Sequence, residues 1–132
     1  MNVLLDTHAW IWWHMNPQRL SKRVRQLLSS PRSYDEVLLS AISAWEVAKL
    51  VEKGRLTLSC DVEDWVTEAL DMHKLRLVPL SPAIACASTR LPQPFHDDPA
   101  DQIIVATARA ENATILSIDE RIQKYPHVMT AW

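Results

Sequence analysis

The sequence predicts a single α/β domain over residues 1–132, with a mostly parallel sheet of four or five strands between two layers of helices. Short apolar runs alternate along the chain with longer amphipathic segments, which is the order of strands and helices in parallel α/β folds. Hydrophobic residues make up 48% of the 132 residues, which suffices for one core and leaves no length for a second domain. One glycine against eight prolines indicates that helix caps and prolines mark the element boundaries.

The first half of the chain carries two strand patterns and three helix patterns. The segment after the first strand is apolar on all sides, which predicts a helix packed deep in the fold. Ser43 and Glu46 have the spacing of a capping box, which places Glu46 in the first turn of the third helix, and Gly54 is expected to end that helix. We predict strands over Val3–Leu5 and Val37–Ser40, and helices over 7–14, 20–30 and 43–53.

The second half continues the alternation. Ser81-Pro82 and Asp98-Pro99 each combine a capping side chain with proline at the first helical position, so a helix is expected to begin at each. Pro79 favours an edge position for the strand that contains it. We predict helices over 61–73, 82–90 and 99–112, a short helix or turn over 119–124, and strands over 75–80, 113–118 and 128–130.

Composition excludes several classes of protein. No apolar run approaches the ~18 residues that span a bilayer, and no basic segment precedes the first strand, so we expect an intracellular protein that does not enter membranes. Cys60 and Cys86 lack metal-site spacing and are expected to be small core residues. A formal net charge of −2 is too small to predict a general coating of nucleic acid, so any polyanion would be bound locally.

Acidic residues fall where the predicted parallel strands end. Capping and the helix dipole, worth about 0.3–1 kcal/mol, are enough to explain any acid in a first helical turn, but they do not explain acids that directly follow strands. Two carboxylates ~4 Å apart repel by about 4 kcal/mol at an effective dielectric of 20, so several in one pocket need a cation between them. The acids expected at this edge of the sheet are Asp6, Glu46, Asp98, Asp101 and Asp119.

Carboxylate oxygens without histidine or cysteine partners favour Mg²⁺ or Mn²⁺ over zinc. Such an ion leaves positions open for water and for a phosphate oxygen, and the chemistry that follows is phosphodiester hydrolysis. The chain has no glycine-rich phosphate loop, so turnover of nucleoside triphosphates has no support.

Three segments of the chain resemble the PIN-domain ribonucleases, and specifically the VapC-type toxins of bacterial toxin–antitoxin pairs. They occur in the family's order, and the acids stand in register with its acids. The segments are VLLDTHAWIWW at 3–13, SAISAWEVAKLVEKGRL at 40–56 and HDDPADQIIVATARAENATILSIDERI at 96–122.

The resemblance implies which residues bind one or two metal ions. Asp6 and Asp101 would carry the principal ion, with Glu46 and Asp119 completing its shell or orienting waters and a second ion. Asp98 matches a frequent additional acid, although its capping role alone explains it. The resemblance also assigns two supporting hydroxyl groups, those of Thr7 and Ser117.

The chain departs from the family pattern at Gln102, where many relatives carry arginine, and this leaves one fewer cation for the substrate phosphate. Lys49 is a candidate replacement, with a surface ion pair as its equal alternative. His8 and His96 are candidate general bases, but packing in the first helix and fixing of the proline loop explain them as well.

The tryptophans have burial as their default role, and stacking of single-stranded RNA bases is the alternative. The ones nearest the predicted acids are Trp10, Trp12, Trp13 and Trp45.

The family's properties imply a cytoplasmic, Mg²⁺- or Mn²⁺-dependent endoribonuclease that hydrolyses RNA phosphodiester bonds and is inhibited by a VapB-like antitoxin. They also imply a homodimer and a toxin–antitoxin hetero-oligomer. One alternative is a PIN-type nuclease that acts in RNA maturation or on DNA. The other is a non-catalytic α/β interaction module in which the acids serve only as helix caps.

Overall fold

A computed structural model describes residues 1–132. Five strands and seven α-helices alternate along the chain, close to the predicted bounds. They are β1 Asn2–Leu5, α1 Thr7–Met15, α2 Lys22–Leu28, β2 Val37–Ser40, α3 Ala41–Glu52, α4 Val62–Met72, β3 Arg76–Val78, α5 Pro82–Ser88, α6 Pro99–Glu111, β4 Ala113–Leu116, α7 Glu120–Gln123 and β5 Met129–Ala131. Short 3-10 helices cover Pro17–Arg19 and Pro31–Ser33.

The five strands form one sheet in the order β3-β2-β1-β4-β5, and every pairing is parallel. This confirms the predicted α/β fold. The strand β1 lies at the centre, where Leu5 stands opposite Leu39 on one side and Leu116 on the other. From β1 the chain adds β2 and β3 on one side, and it then adds β4 and β5 on the other side. The strand order therefore reverses between β1 and β4. Ligands of parallel sheets bind outside the strand ends at such a switch point.

The core has two layers, one on each face of the sheet, because alternate residues of a strand point to opposite faces. Val3 and Leu5 belong to the layer with α1, α2, α3 and α4, whereas Leu4 belongs to the layer with α5, α6 and α7. The three central strands, β1, β2 and β4, are buried on both faces, as apolar parallel strands require, whereas the edge strands β3 and β5 are partly exposed. Trp10 is fully buried in the first layer, with its ring centroid 5.1 Å from that of Trp65.

The predicted caps at Ser81 and Asp98 are confirmed: their side chains accept hydrogen bonds from the N–H groups of Ile84 and Asp101. The predicted capping box of Ser43 and Glu46 is wrong. Strand β2 runs directly into α3, so Ser40 caps the helix by accepting from the N–H of Ile42 at 3.2 Å.

As a consequence of this earlier start, Ser43 lies inside α3 and is fully buried, and Glu46 lies in the second turn instead of the first. The predicted burial of Cys60 and Cys86 is also wrong, since both are exposed. Cys60 lies in the loop before α4, and Cys86 lies on the outer side of α5. None of the helices has both the length and the apolar character that crossing a bilayer requires.

Candidate metal centre

The acids of the site come from elements that end or begin at the carboxyl edge of the sheet. Asp6 follows β1 directly, and Asp119 follows β4 by three residues. The backbone N–H of Asp6 donates to the carbonyl of Leu116 at 3.2 Å, so the ends of these two strands are held together at the switch point. Helix α3 brings Glu46 to the same edge, and the first turn of α6 brings Asp101.

Asp6 is the most buried acid of the chain, with 8% of its surface exposed. Its carboxylate caps α1 by accepting from the N–H of Ala9 at 2.8 Å. Burial raises the pKa of Asp6, hydrogen bonds from Ser117 and Ala9 lower it in part, and the charge of Asp101 raises it further. A cap needs no such burial, so capping alone does not account for an ionisable group in this position.

Glu46 reaches the site from α3 and is held by the start of α1. The Thr7 hydroxyl donates to Glu46 Oε1 and lies 2.9 Å from the buried Ser43 hydroxyl. Burial raises the pKa of Glu46, and the charges of Asp101, Asp98 and Asp6 raise it too, although the Thr7 hydrogen bond opposes them. Thr7 therefore orients a carboxylate that its neighbours repel.

Asp101 completes the group of acids and contacts a histidine. Its Oδ2 lies 2.7 Å from His96 Nε2, and its backbone N–H donates to Asp98 Oδ1 at 3.1 Å. Burial raises the pKa of Asp101, the His96 hydrogen bond lowers it, and the charges of Asp98 and Asp119 raise it. The charge of Asp101 in turn raises the pKa of both Asp6 and Glu46, so these three carboxylates lie near one another.

Asp119 differs from the other acids because the guanidinium of Arg121 contacts both of its carboxylate oxygens. Arg121 donates to it through the backbone N–H at 2.8 Å, through Nε at 3.3 Å and through Nη2 at 3.0 Å. Burial opposes ionisation here, but the hydrogen bonds and the charge of Arg121 prevail, and the pKa of Asp119 lies below its ordinary value. Asp119 is therefore an ionised carboxylate beside three acids whose pKa values lie above their ordinary values.

The structure brings all seven predicted site residues to one edge of the sheet. Ser117 is fully buried after β4, and its hydroxyl accepts from the N–H of Asp119 at 3.0 Å. No three histidine, cysteine, aspartate or glutamate side chains stand around one point so as to hold an ion as they are. Thr7 contacts Glu46 through Oε1 and His96 contacts Asp101 through Oδ2, so each acid keeps its other carboxylate oxygen for an ion.

The donor chemistry nevertheless fits a divalent cation. Burial raises the pKa of Asp6, Glu46 and Asp101, and nearby acids raise it further, so an ion that favours their charged form would stabilise them. Hard oxygen donors of this kind match Mg²⁺ or Mn²⁺.

Two further residues, whose roles the sequence did not establish, contribute to the site. Arg121 received no role, although its position two residues after Asp119 in SIDER was an available signal. Gln102 donates from its side-chain amide to the carbonyl of His96 at 3.0 Å, so it holds the proline loop. The same loop is fixed from the segment that follows α7, because the Tyr125 hydroxyl donates to the carbonyl of Pro92 at 2.6 Å.

A cavity of about 480 Å³ opens beside the acids and is lined by Glu46 and Asp98. Trp45 lies on its wall with 54% of its surface exposed, which is unusual for so large an aromatic side chain. Cationic side chains line the same cavity: Lys49, Lys53 and Arg55. The acids therefore border a space with both aromatic and basic walls.

Comparison with known proteins agrees with this architecture. The model of the PIN domain family matches residues 3–128, and the chain belongs to that family. Ribonuclease VapC22 of Mycobacterium tuberculosis is 35% identical over 132 residues, which is 98% of each chain. The predicted resemblance to VapC-type proteins is confirmed by this relative.

Solved structures share the fold over nearly the whole chain. VapBC from Salmonella typhimurium, solved with DNA bound, has a TM-score of 0.69 at 18% identity and covers 99% of this chain and 97% of that one. FitAcB from Neisseria gonorrhoeae has a TM-score of 0.66 at 25% identity, with 97% and 95% covered. A toxin–antitoxin complex from Klebsiella pneumoniae has a TM-score of 0.66 at 21% identity, with 98% of each chain covered.

Proposed function

We propose that this protein is a metal-dependent endoribonuclease of VapC type, the toxin of a toxin–antitoxin pair. One observation carries the proposal. Asp6, Glu46 and Asp101, from three separate parts of the chain, lie together at the switch point of the sheet, and burial and neighbouring acids raise the pKa of each. Helix capping gives no reason for this convergence, whereas a bound Mg²⁺ or Mn²⁺ ion does. The ribonuclease relative with 35% identity supports the same activity.

The residues of the chain divide the work of such a site. Asp6 and Asp101 hold the principal ion, with Glu46 oriented toward it by Thr7. When bound, the ion supplies a water of lowered pKa and a positive charge for the leaving oxygen. His96 positions Asp101, and Ser117 supports both Asp6 and the backbone of Asp119. Asp98 caps α6 and adds negative charge at the rim.

The cavity beside the acids supports single-stranded RNA as substrate. Exposed aromatic side chains stack on bases with ~1–3 kcal/mol per base and without strict sequence preference, which fits Trp45. Lys53 and Arg55 line the same cavity and supply charge for backbone phosphates. Because the overall net charge is −2, we expect the attraction for RNA phosphates to act in the cavity rather than over the whole surface.

An antitoxin partner is proposed from the structural neighbours, which include toxin–antitoxin complexes. A VapB-like antitoxin that covers the acidic cleft would keep the nuclease inactive in the cytoplasm until it is removed. We also propose that the toxin forms homodimers and that these assemble with antitoxin into a hetero-oligomer.

The decisive experiment measures RNA cleavage by protein freed of any antitoxin, with Mg²⁺ or Mn²⁺ and with EDTA. Asp101→Asn is the test variant, because it keeps the size of the side chain and removes a charge from the site. Asp64→Asn is the matched control, since Asp64 occupies the same third position of its own helix, α4, and is exposed. We expect the wild type and Asp64→Asn to cleave RNA, and Asp101→Asn and EDTA to abolish cleavage.

Growth of cells that express each variant gives a second reading, with arrest expected only for the cleaving proteins. Cleavage of DNA but not of RNA would favour the alternative PIN-type nuclease. A folded, partner-free wild type that cleaves neither would contradict the proposal and favour a non-catalytic module.

A further inference from the structure

Substrate in this site faces a problem of charge. A phosphodiester must approach three poorly neutralised carboxylates, and one divalent ion offsets only part of their charge. Gln102 adds no charge, and its amide is engaged with the proline loop. Lys49 is paired with Glu52 at 3.0 Å and lies 5.8 Å from the ring centre of Trp45. Neither residue places a free cation among the acids.

Arg121 does lie among them. Its Nη2 is 3.0 Å from Asp119 Oδ2 and 3.5 Å from Asp101 Oδ2, so the guanidinium bridges an acid after β4 and an acid on α6. Its Nε also contacts Asp119, at 3.3 Å. The side chain is nonetheless 59% exposed. A guanidinium carries five N–H donors, and Nη1 makes no hydrogen bond within the chain, so donors remain for an outside anion.

Arg121, in turn, occupies most of the acceptor capacity of the Asp119 carboxylate. Its Oδ1 accepts from the backbone N–H and Nε of Arg121, and its Oδ2 accepts from Nη2. Two-point contact with a carboxylate fixes the plane of a guanidinium, which a single charge contact does not do. These contacts leave the carboxylate with little capacity to coordinate an ion, and they give it a different task.

We propose that Arg121 binds an RNA phosphate next to the cleaved bond, and that Asp119 positions Arg121 instead of coordinating the metal ion. The inference rests on the proposed function. Under this proposal Arg121, on α7, supplies the cation that Gln102 does not. Asp119 then has a different role from Asp6, Glu46 and Asp101. Arg121 then acts as a catalytic residue that contacts substrate, and Asp119 acts through Arg121.

The test measures kcat and KM for a single-stranded RNA with Mg²⁺, over a range of NaCl concentrations. Arg121→Gln is expected to lower kcat/KM about 10- to 100-fold, the loss of one charge-assisted hydrogen bond. The slope of log kcat/KM against log salt should flatten by about 0.7, the share of one phosphate contact on a single strand. Lys124→Gln is the matched control, because Lys124 is an exposed cation next to α7 that pairs only with Glu120. It should behave as the wild type.

Asp119→Asn tests the positioning role and keeps the cap of α7, since asparagine also accepts from backbone N–H groups. The double variant with Arg121→Gln should be no slower than Arg121→Gln alone. Arg121→Lys, which retains the charge without the two-point contact, should recover only part of kcat/KM.

Calorimetric titration of Mn²⁺ without RNA separates the two roles that Asp119 might have. Binding by Asp119→Asn should stay within about twofold of wild type, whereas Asp101→Asn should lose it. Unfolding temperatures of all variants check that each one folds.

Two results would overturn the inference. One is cleavage by Arg121→Gln with the rate and salt slope of Lys124→Gln, which would show that Arg121 does not contact substrate. The other is a loss of Mn²⁺ binding in Asp119→Asn as large as in Asp101→Asn, which would make Asp119 a ligand. A wild type that cleaves no RNA would remove the proposed function itself, and with it this inference.

Discussion

The substitution Asp6→Asn gives a sharp test of the metal centre, because it changes charge and almost nothing else. Asparagine matches aspartate in size and in strength as a helix cap, so its Oδ1 keeps the hydrogen bond from the N–H of Ala9. Asp6→Ala would lose that cap at a cost of about 1 kcal/mol and would confuse the result. With EDTA, Asp6→Asn should unfold at or above the wild-type temperature, because it removes a charge whose ionisation burial disfavours.

A bound ion reverses this order of unfolding temperatures. An ion present at 100 times its Kd stabilises the wild type by about 2.7 kcal/mol. For a chain of 132 residues this corresponds to a rise in unfolding temperature of about 10 °C. If Asp6→Asn weakens binding about 100-fold, the same concentration contributes RT ln 2, about 0.4 kcal/mol, or less than about 2 °C.

The assay is thermal unfolding of both proteins with EDTA and with a series of MnCl₂ concentrations. Asp61→Asn serves as control, since Asp61 also caps a helix, α4, by accepting from a backbone N–H at 3.0 Å. We expect the control to show the full rise with Mn²⁺. Equal rises for Asp6→Asn and Asp61→Asn would refute the assignment of Asp6 to the metal centre, as would the absence of any rise in the wild type.

Three further predictions follow from the same geometry. The pKa of Asp6 is raised in the folded protein, so ionisation of Asp6 lowers the free energy of unfolding. This loss is absent below pH 3.8, the ordinary pKa, and is complete above the folded pKa. The stability that Asp6→Asn gains in EDTA should therefore shrink as pH falls from 7.5 through that range, which urea unfolding at several pH values measures. Thr7→Val removes the donor that orients Glu46 and should weaken Mn²⁺ binding about 10- to 100-fold, as substitutions around metal ligands do, which calorimetry measures. Trp45→Ala should weaken binding of single-stranded RNA, measured by fluorescence anisotropy, by about 1–3 kcal/mol without changing Mn²⁺ affinity. An unchanged RNA affinity would exclude stacking.

The sequence was sufficient for the layout of the fold because its signals are local. The apolar runs at Val3–Leu5 and Val37–Ser40 match β1 and β2 almost residue for residue, and the proline caps at Ser81 and Asp98 begin helices as expected. Parallel strands end at one edge, so the position of Asp6 and Asp119 after strands already indicated a shared site.

The errors arose where two local signals competed. Ser40 and Ser43 both satisfy the pattern of a helix cap, and only the direct passage from β2 into α3 selects Ser40. Cys60 and Cys86 have apolar character but lie on exposed positions, which their neighbours in sequence do not reveal.

By itself, the sequence determined the α/β class, the order of the elements and the edge of the sheet at which the acids collect. Tertiary structure alone decided which side chains meet there: Thr7 with Glu46 across 39 positions of sequence, and Arg121 with Asp101. The physical reason is range. Hydrophobic periodicity and capping act between residues a few positions apart and can be followed along the chain, whereas a hydrogen bond forms only within about 3 Å and depends on how whole helices and strands are placed against one another.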